Sequence, residues 1–106
     1  MKVKDLPVQE RPRERLQKVG VENLSNEELL SIILKSGNRK KSVKELSSDI
    51  IAKVGSIDKL KEVTKESLQE IDGIGLAHAL TILSSVELGK RIFMDNQKIN
   101  KIILNI

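Results

Sequence analysis

The stretch Leu68-Gln-Glu-Ile-Asp-Gly-Ile-Gly-Leu-Ala-His-Ala-Leu-Thr-Ile-Leu83 decides how this chain folds. Leu68 and Ile71 lie one helical turn apart, and Ala79, Ile82 and Leu83 repeat that spacing, which predicts two helices with apolar faces. Between them, Gly73 and Gly75 are free to take backbone angles closed to other residues, so the chain can reverse within about three residues. Ile74, apolar at the tip, is expected to plug the space between the two helices. The second helix begins with backbone N–H groups that lack intrahelical partners, and its dipole favours an anion such as phosphate there.

Around this turn the composition points to one small aliphatic domain. A chain of 106 residues is long enough for a single modest core. Hydrophobic residues make up 39% of it, yet Phe93 is the only aromatic, so Leu, Ile and Val must supply the packing. Cysteine is absent, which excludes disulfides and thiolate metal sites and fits a reducing compartment. No apolar run approaches the roughly 18 residues of a membrane span, and no signal peptide is visible. The expected setting is cytoplasmic, with no membrane partner.

The formal net charge is +4, and its distribution says more than its size. Residues 1–54 hold 12 Lys and Arg against 8 Asp and Glu, whereas residues 55–106 hold 7 of each. The whole surplus lies in the first half. A bias of this size permits a nucleic-acid partner without demanding one.

Pro7 and Pro12 argue against one continuous helix at the start, so residues 1–10 read as an extended arm and 12–19 as a short helix stopped at Gly20. Ser25 and Glu28 form a capping box for a helix through Leu29, Leu30, Ile32, Ile33 and Leu34. That helix is apolar nearly all round, is expected to be buried, and should end at Gly37. Ser42 with Glu45 forms a second capping box that opens the next helix through Val43, Leu46, Ile50 and Ile51, which Gly55 ends. Ser56 starts a connector helix carrying Ile57 and Leu60, and Thr64 caps the helix that runs into Gly73. The helix from Gly75 carries Ala79, Ile82, Leu83 and Val86 and extends toward Ile92 and Phe93. The class is all-α: a compact bundle of about five short helices. Residues 1–20 form the arm and short helix, 21–93 the bundle, and 94–106 a tail or the start of a linker. For the apolar tail from Lys98, a frayed end, a docked segment and the beginning of a truncated domain all fit.

A shift of about 38 places lays Leu30 and Ile33 on Leu68 and Ile71, and Gly37 on Gly75, so the chain carries a degenerate internal repeat. A pseudo-two-fold would bring the 37–42 and 73–78 turns to one face, where two phosphate strands can be gripped. Within the first turn, Gly37, Asn38, Arg39, Lys40, Lys41 and Ser42 form a basic loop, with the three cations placed to screen phosphate charge. Within the second, Gly73, Ile74, Gly75, Ala77 and His78 are the candidate contacts, made mostly through backbone amides. A solvated loop that keeps the protein soluble would carry the same lysines. His78 has neither a cysteine nor a second histidine as co-ligand, so a zinc site is not expected; it either donates a hydrogen bond or faces solvent. Glu27, Glu28, Glu66 and Glu70 sit at cap or surface positions with no spacing suited to paired acid–base catalysis.

The Gly73-Ile-Gly75 turn with its flanking apolar residues resembles the helix-hairpin-helix motif, a sequence-independent binder of the DNA backbone. Where that motif often has a Lys or Arg past the second glycine, this chain has Ala77 and His78, which weakens the side-chain contribution. The two copies with their connector resemble the tandem, five-helix form of the motif.

A longer pattern is more specific. Lys4-Asp-Leu-Pro7, Arg11-Pro-Arg-Glu-Arg-Leu16, Gly20, Leu24-Ser25, Glu28-Leu-Leu30, Ile33-Leu34 and Gly37, then Lys41-Ser42-Val43, Gly73-Ile-Gly75 and Val86-Glu-Leu-Gly-Lys-Arg91, resemble the N-terminal region of the bacterial RadC family (UPF0758). The resemblance spans residues 1 to about 93. Full-length members carry a following JAB/MPN metalloprotease-like domain whose zinc site uses a His-x-His-Pro signature. That signature is absent here, so no zinc hydrolase activity, metal or cofactor is carried over. What the resemblance implies is a non-enzymatic module of a DNA-repair-named family that binds DNA non-specifically, with that JAB domain as its partner in a longer protein. The rival expectation is a protein-interaction or dimerisation module without DNA affinity.

Overall fold

The structure is a computed structural model that describes the backbone of residues 11–104 and the side chains of residues 11–94. The expected extended arm at 1–10 lies outside the described residues. Among those described, the fold is all-α, with five α-helices: α1 (Pro12–Val19), α2 (Asn26–Leu34), α3 (Val43–Val54), α4 (Lys65–Gln69) and α5 (Leu76–Leu104). Short 3-10 helices at Val21–Asn23 and Ile57–Glu62 join α1 to α2 and α3 to α4.

Local chemistry accounts for most of the boundaries. Pro12 opens α1, where its missing N–H costs nothing, and Gly20 ends it at φ +89°. Ser25 and Glu28 cap α2 reciprocally, at 3.1 and 3.0 Å. Ser42 accepts from the Glu45 amide at the start of α3, and Gly55 closes that helix at φ +93°. Thr64 and Ser67 form a second reciprocal box at α4; serine stands where the usual pattern has a carboxylate or amide.

The helices pair as α2 with α3 and α4 with α5, and α2 also packs on α5. The core between them is aliphatic, with Leu46, Ile50, Leu68 and Ile82 fully enclosed. One polar contact lies inside it: the Ser31 hydroxyl donates to Ser47 at 3.0 Å, and Ser47 donates to the Val43 carbonyl at 2.8 Å. Small side chains here let α2 and α3 approach closely while every hydroxyl keeps a partner. At the outer edge, Arg15 of α1 donates to the largely buried Glu28 of α2.

Four expectations need correction. α2 is not buried all round: Leu30, Ser31 and Leu34 face the core, but Ile33 is 38% exposed because neighbours cover only part of the helix. Nor does α2 reach Gly37; after Leu34 the chain turns at Lys35, with φ +71°, and Ser36 N–H donates to the Leu34 carbonyl at 2.9 Å. Of the two glycines in the second turn, only Gly73 takes a positive φ (+93°). Finally, α5 does not give way to a separate tail after Phe93: it is 29 residues long, and its backbone passes through Asp95-Asn-Gln-Lys98 without a break.

Candidate nucleic-acid interface

The loop from Lys35 to Ser42 is built on itself. Gly37 lies so close to the returning strand that a Cβ would fall 2.1 Å from the Lys41 carbonyl oxygen. Asn38 organises the tip: its amide donates to the Lys41 carbonyl at 2.9 Å, and its Oδ1 accepts from the Lys40 and Lys41 amides at 2.8 Å each. Several of the loop's own N–H groups are therefore spent internally, and its exposed chemistry is the side chains of Arg39 and Lys40.

The second turn rests against this loop. Asn38 Nδ2 donates to the Gly73 carbonyl at 3.2 Å, and Lys41 Nζ reaches the Asp72 carbonyl at 3.4 Å. His78 Nε2 lies 2.9 Å from the Ser36 carbonyl oxygen, so that nitrogen carries the proton and donates. Ile74 is buried beneath the turn, with its amide donating to Ile71 at 3.0 Å. Beyond it, the Gly75 carbonyl accepts from Ala79 at 3.1 Å and begins α5. The two turns are thus adjacent and cross-tied, and the carbonyls at Asp72 and Gly73 are occupied by the first loop. The amides that open α5 have no intrahelical acceptor.

Residues 3–80 match the UPF0758 N-terminal family. This chain belongs to the UPF0758 family. It is similar to a UPF0758 protein of Bacillus licheniformis, 51% identical over 92 residues covering 87% of this chain and 41% of that protein. The UPF0758 protein YsxA of Bacillus subtilis is 49% identical over the same share of this chain and 40% of its own length. A Clostridium botulinum relative is 46% identical over 90 residues, covering 85% and 40%. The chain therefore spans about two fifths of the length of the curated relatives it matches. No solved structure matches it.

Within this UPF0758 module the candidate residues come together unequally. Asn38 and Gly73 form the joint between the turns, Gly37 packs against its own loop, and Arg39 and Lys40 stand exposed beside the joint. Ala77 is exposed on the first turn of α5, and Ser42 serves as the cap of α3. Lys41 is drawn inward: its Nζ lies 2.7 Å from Asp49 and 3.6 Å from the Asp72 carboxylate. The hydrogen bond that its ammonium donates to Asp49, aided by both carboxylate charges, holds its pKa above the ordinary lysine range. Asp49, Asp72 and Ser36 were not legible as parts of this arrangement, because helical periodicity does not relate a loop lysine to an acid inside the next helix. Among the described residues no group of three or more His, Cys, Asp or Glu is placed to hold a metal ion. No helix there is long and apolar enough to cross a membrane.

Proposed function

We propose that this UPF0758 module is a tandem helix-hairpin-helix unit that binds DNA without sequence preference, through phosphates, and performs no chemistry itself. The observation that carries this reading is the division of polarity at the paired turns. The carbonyls of Asp72 and Gly73 are consumed by Lys41 and Asn38, leaving unspent the amides that open α5, beside an exposed Asp72 carboxylate that Lys41 offsets. Amides at a helix N-terminus suit an anion, and Arg39 and Lys40 on the adjoining loop supply the attraction. Gly75 supports the same reading: a Cβ there would meet nothing within 4 Å. Packing does not demand a glycine at that point, whereas close approach by a ligand backbone would. The module acts in the bacterial cytoplasm as a targeting domain. In longer relatives it would bring the JAB-type domain implied by the RadC resemblance to DNA.

Fluorescence anisotropy with a labelled mixed-sequence duplex tests this directly. Neutralising two or three phosphates predicts an affinity that falls about 10- to 40-fold between 50 and 200 mM KCl. Charge reversal of Arg39, Lys40 and Lys41 together should abolish most of the binding. If the wild-type chain has no affinity for duplex, branched or single-stranded DNA at 50 mM KCl, the reading fails.

One observation favours a second reading, docking of a protein. Ile57, Phe93 and Met94 are 40%, 64% and 62% exposed, and with Leu60 and Val86 they line a groove of about 570 Å³. Exposed apolar surface of this kind marks interaction sites. A dimer by light scattering that is insensitive to salt and lacks DNA affinity would favour docking over DNA binding.

A further inference from the structure

Three consecutive cations follow Asn38, and the fold treats them differently. Arg39 and Lys40 are exposed, whereas Lys41 is partly buried. Its Nζ faces three oxygens: Asp49 Oδ2 of α3 at 2.7 Å, the Asp72 carbonyl at 3.4 Å and the Asp72 carboxylate at 3.6 Å. The first two are hydrogen bonds and the third an ion pair, so two of the ammonium's three N–H donors are engaged within the fold. Two carboxylates also offset its charge before any phosphate arrives.

We propose that Lys41 is a positioning residue that latches the second turn onto α3, leaving Arg39 and Lys40 to make the side-chain contacts with phosphate. The proposal rests on the DNA-binding reading above and refines it. Lys41 bridges an element of the first helix pair, Asp49, to the turn of the second, Asp72. Asn38 makes a parallel tie to the Gly73 carbonyl, so neighbouring carbonyls of one turn are held by two residues of one loop. Losing Lys41 removes one of these ties and leaves the other, together with the aliphatic core. The module then folds with a looser turn, and the amides that open α5 are less well aimed. The latch acts on affinity through geometry, not through counterion release.

Salt dependence separates the two roles, because each phosphate neutralised contributes about 0.9 to the slope of log affinity against log salt. In anisotropy titrations of the full chain on a mixed-sequence duplex, Arg39→Gln and Lys40→Gln should each flatten the slope by about 0.9. Lys41→Gln should weaken binding by up to about five-fold, the scale of an exposed ion pair, while keeping the wild-type slope. Lys41→Arg, which preserves the pairing, should restore affinity. Amide hydrogen exchange without DNA supplies the independent arm: exchange at Ile74, whose amide donates to the Ile71 carbonyl, should quicken in Lys41→Gln and stay unchanged in Arg39→Gln. A slope flattened by Lys41→Gln as much as by Arg39→Gln overturns the latch, as does unchanged exchange at Ile74. Absence of any DNA binding by the wild-type chain would sink the functional reading alone, and the exchange data would then decide the latch.

Discussion

At Gly73 the chain passes through φ +93°, and a Cβ there would sit 2.8 Å from Leu46 Cδ2 and 2.9 Å from Asn38 Nδ2. A left-handed backbone costs a non-glycine residue about 1–2 kcal/mol, and forcing a methyl into a filled site adds about 1–3 kcal/mol. Gly73→Ala is therefore expected to lower unfolding stability by several kcal/mol in a denaturant titration. Gly75→Ala meets open space and should cost at most about 1 kcal/mol, as a weaker helix cap. Its loss should appear in DNA affinity instead. Equal destabilisation by the two changes would contradict this division. Lys35 presents the opposite case, a side chain where glycine would be at ease. It holds φ +71° in a γ-turn that is strained for any L-residue. Lys35→Gly should raise stability by about 0.5–1 kcal/mol, the relief of strain less the entropy glycine adds to the unfolded chain. A lower melting temperature would show that the turn is not strained. Neither the Lys35 turn nor the tight passage at Gly37 could be read from the sequence. Each depends on where the returning strand lies, whereas Ile74 declared itself as an apolar residue between two glycines.

The helices were more legible than the loops, because a cap is a local event. Ser25, Ser42 and Thr64 at the starts, and Gly20 and Gly55 at the stops, act on residues three or four positions away, within reach of pattern reading. The Ser31–Ser47 contact joins residues 16 apart and became visible only once α2 and α3 were packed. Glu28 combines both kinds of information. It completes the Ser25 cap and also accepts from Arg15, 13 residues earlier. Burial pushes its carboxyl upward, but the Ser25 amide and the Arg15 guanidinium more than offset this, and its pKa falls below the ordinary 4.5. A carboxyl lowered by folding stabilises the fold above its unfolded pKa, and that contribution fades as pH falls through the folded value. Thermal melts between pH 6 and pH 3 should therefore fall more steeply for the wild type than for Glu28→Gln. Parallel curves would mean that the α1–α2 bond contributes nothing measurable.

For the molecule as a whole, the all-α class and the single aliphatic core followed from periodicity, while the extent of α5 did not. Its polar interruption at Asp95 to Lys98 resembles a boundary, yet the backbone crosses it as helix. At about 1.5 Å per residue, 29 residues make a rod of about 43 Å, longer than its packing partners. Ala79 and Ile82 are enclosed, Leu83 and Val86 pack on the core's edge, and every residue from Glu87 to Met94 is exposed. Helix stability in a protein comes mainly from tertiary packing of the apolar face, and an unpacked segment of this length is marginal in water. Amide exchange should therefore slow across Ala79 to Val86 and quicken across Glu87 to Met94. Ile82→Ala is expected to cost about 2–5 kcal/mol, whereas replacing Phe93 and Met94 by Gln should change monomer stability by less than about 0.5 kcal/mol. Slow exchange at Phe93 and Met94 in a dilute sample would contradict the unpacked rod and require a covering surface. Dependence of that protection on protein concentration would then identify a second copy of the chain as the cover.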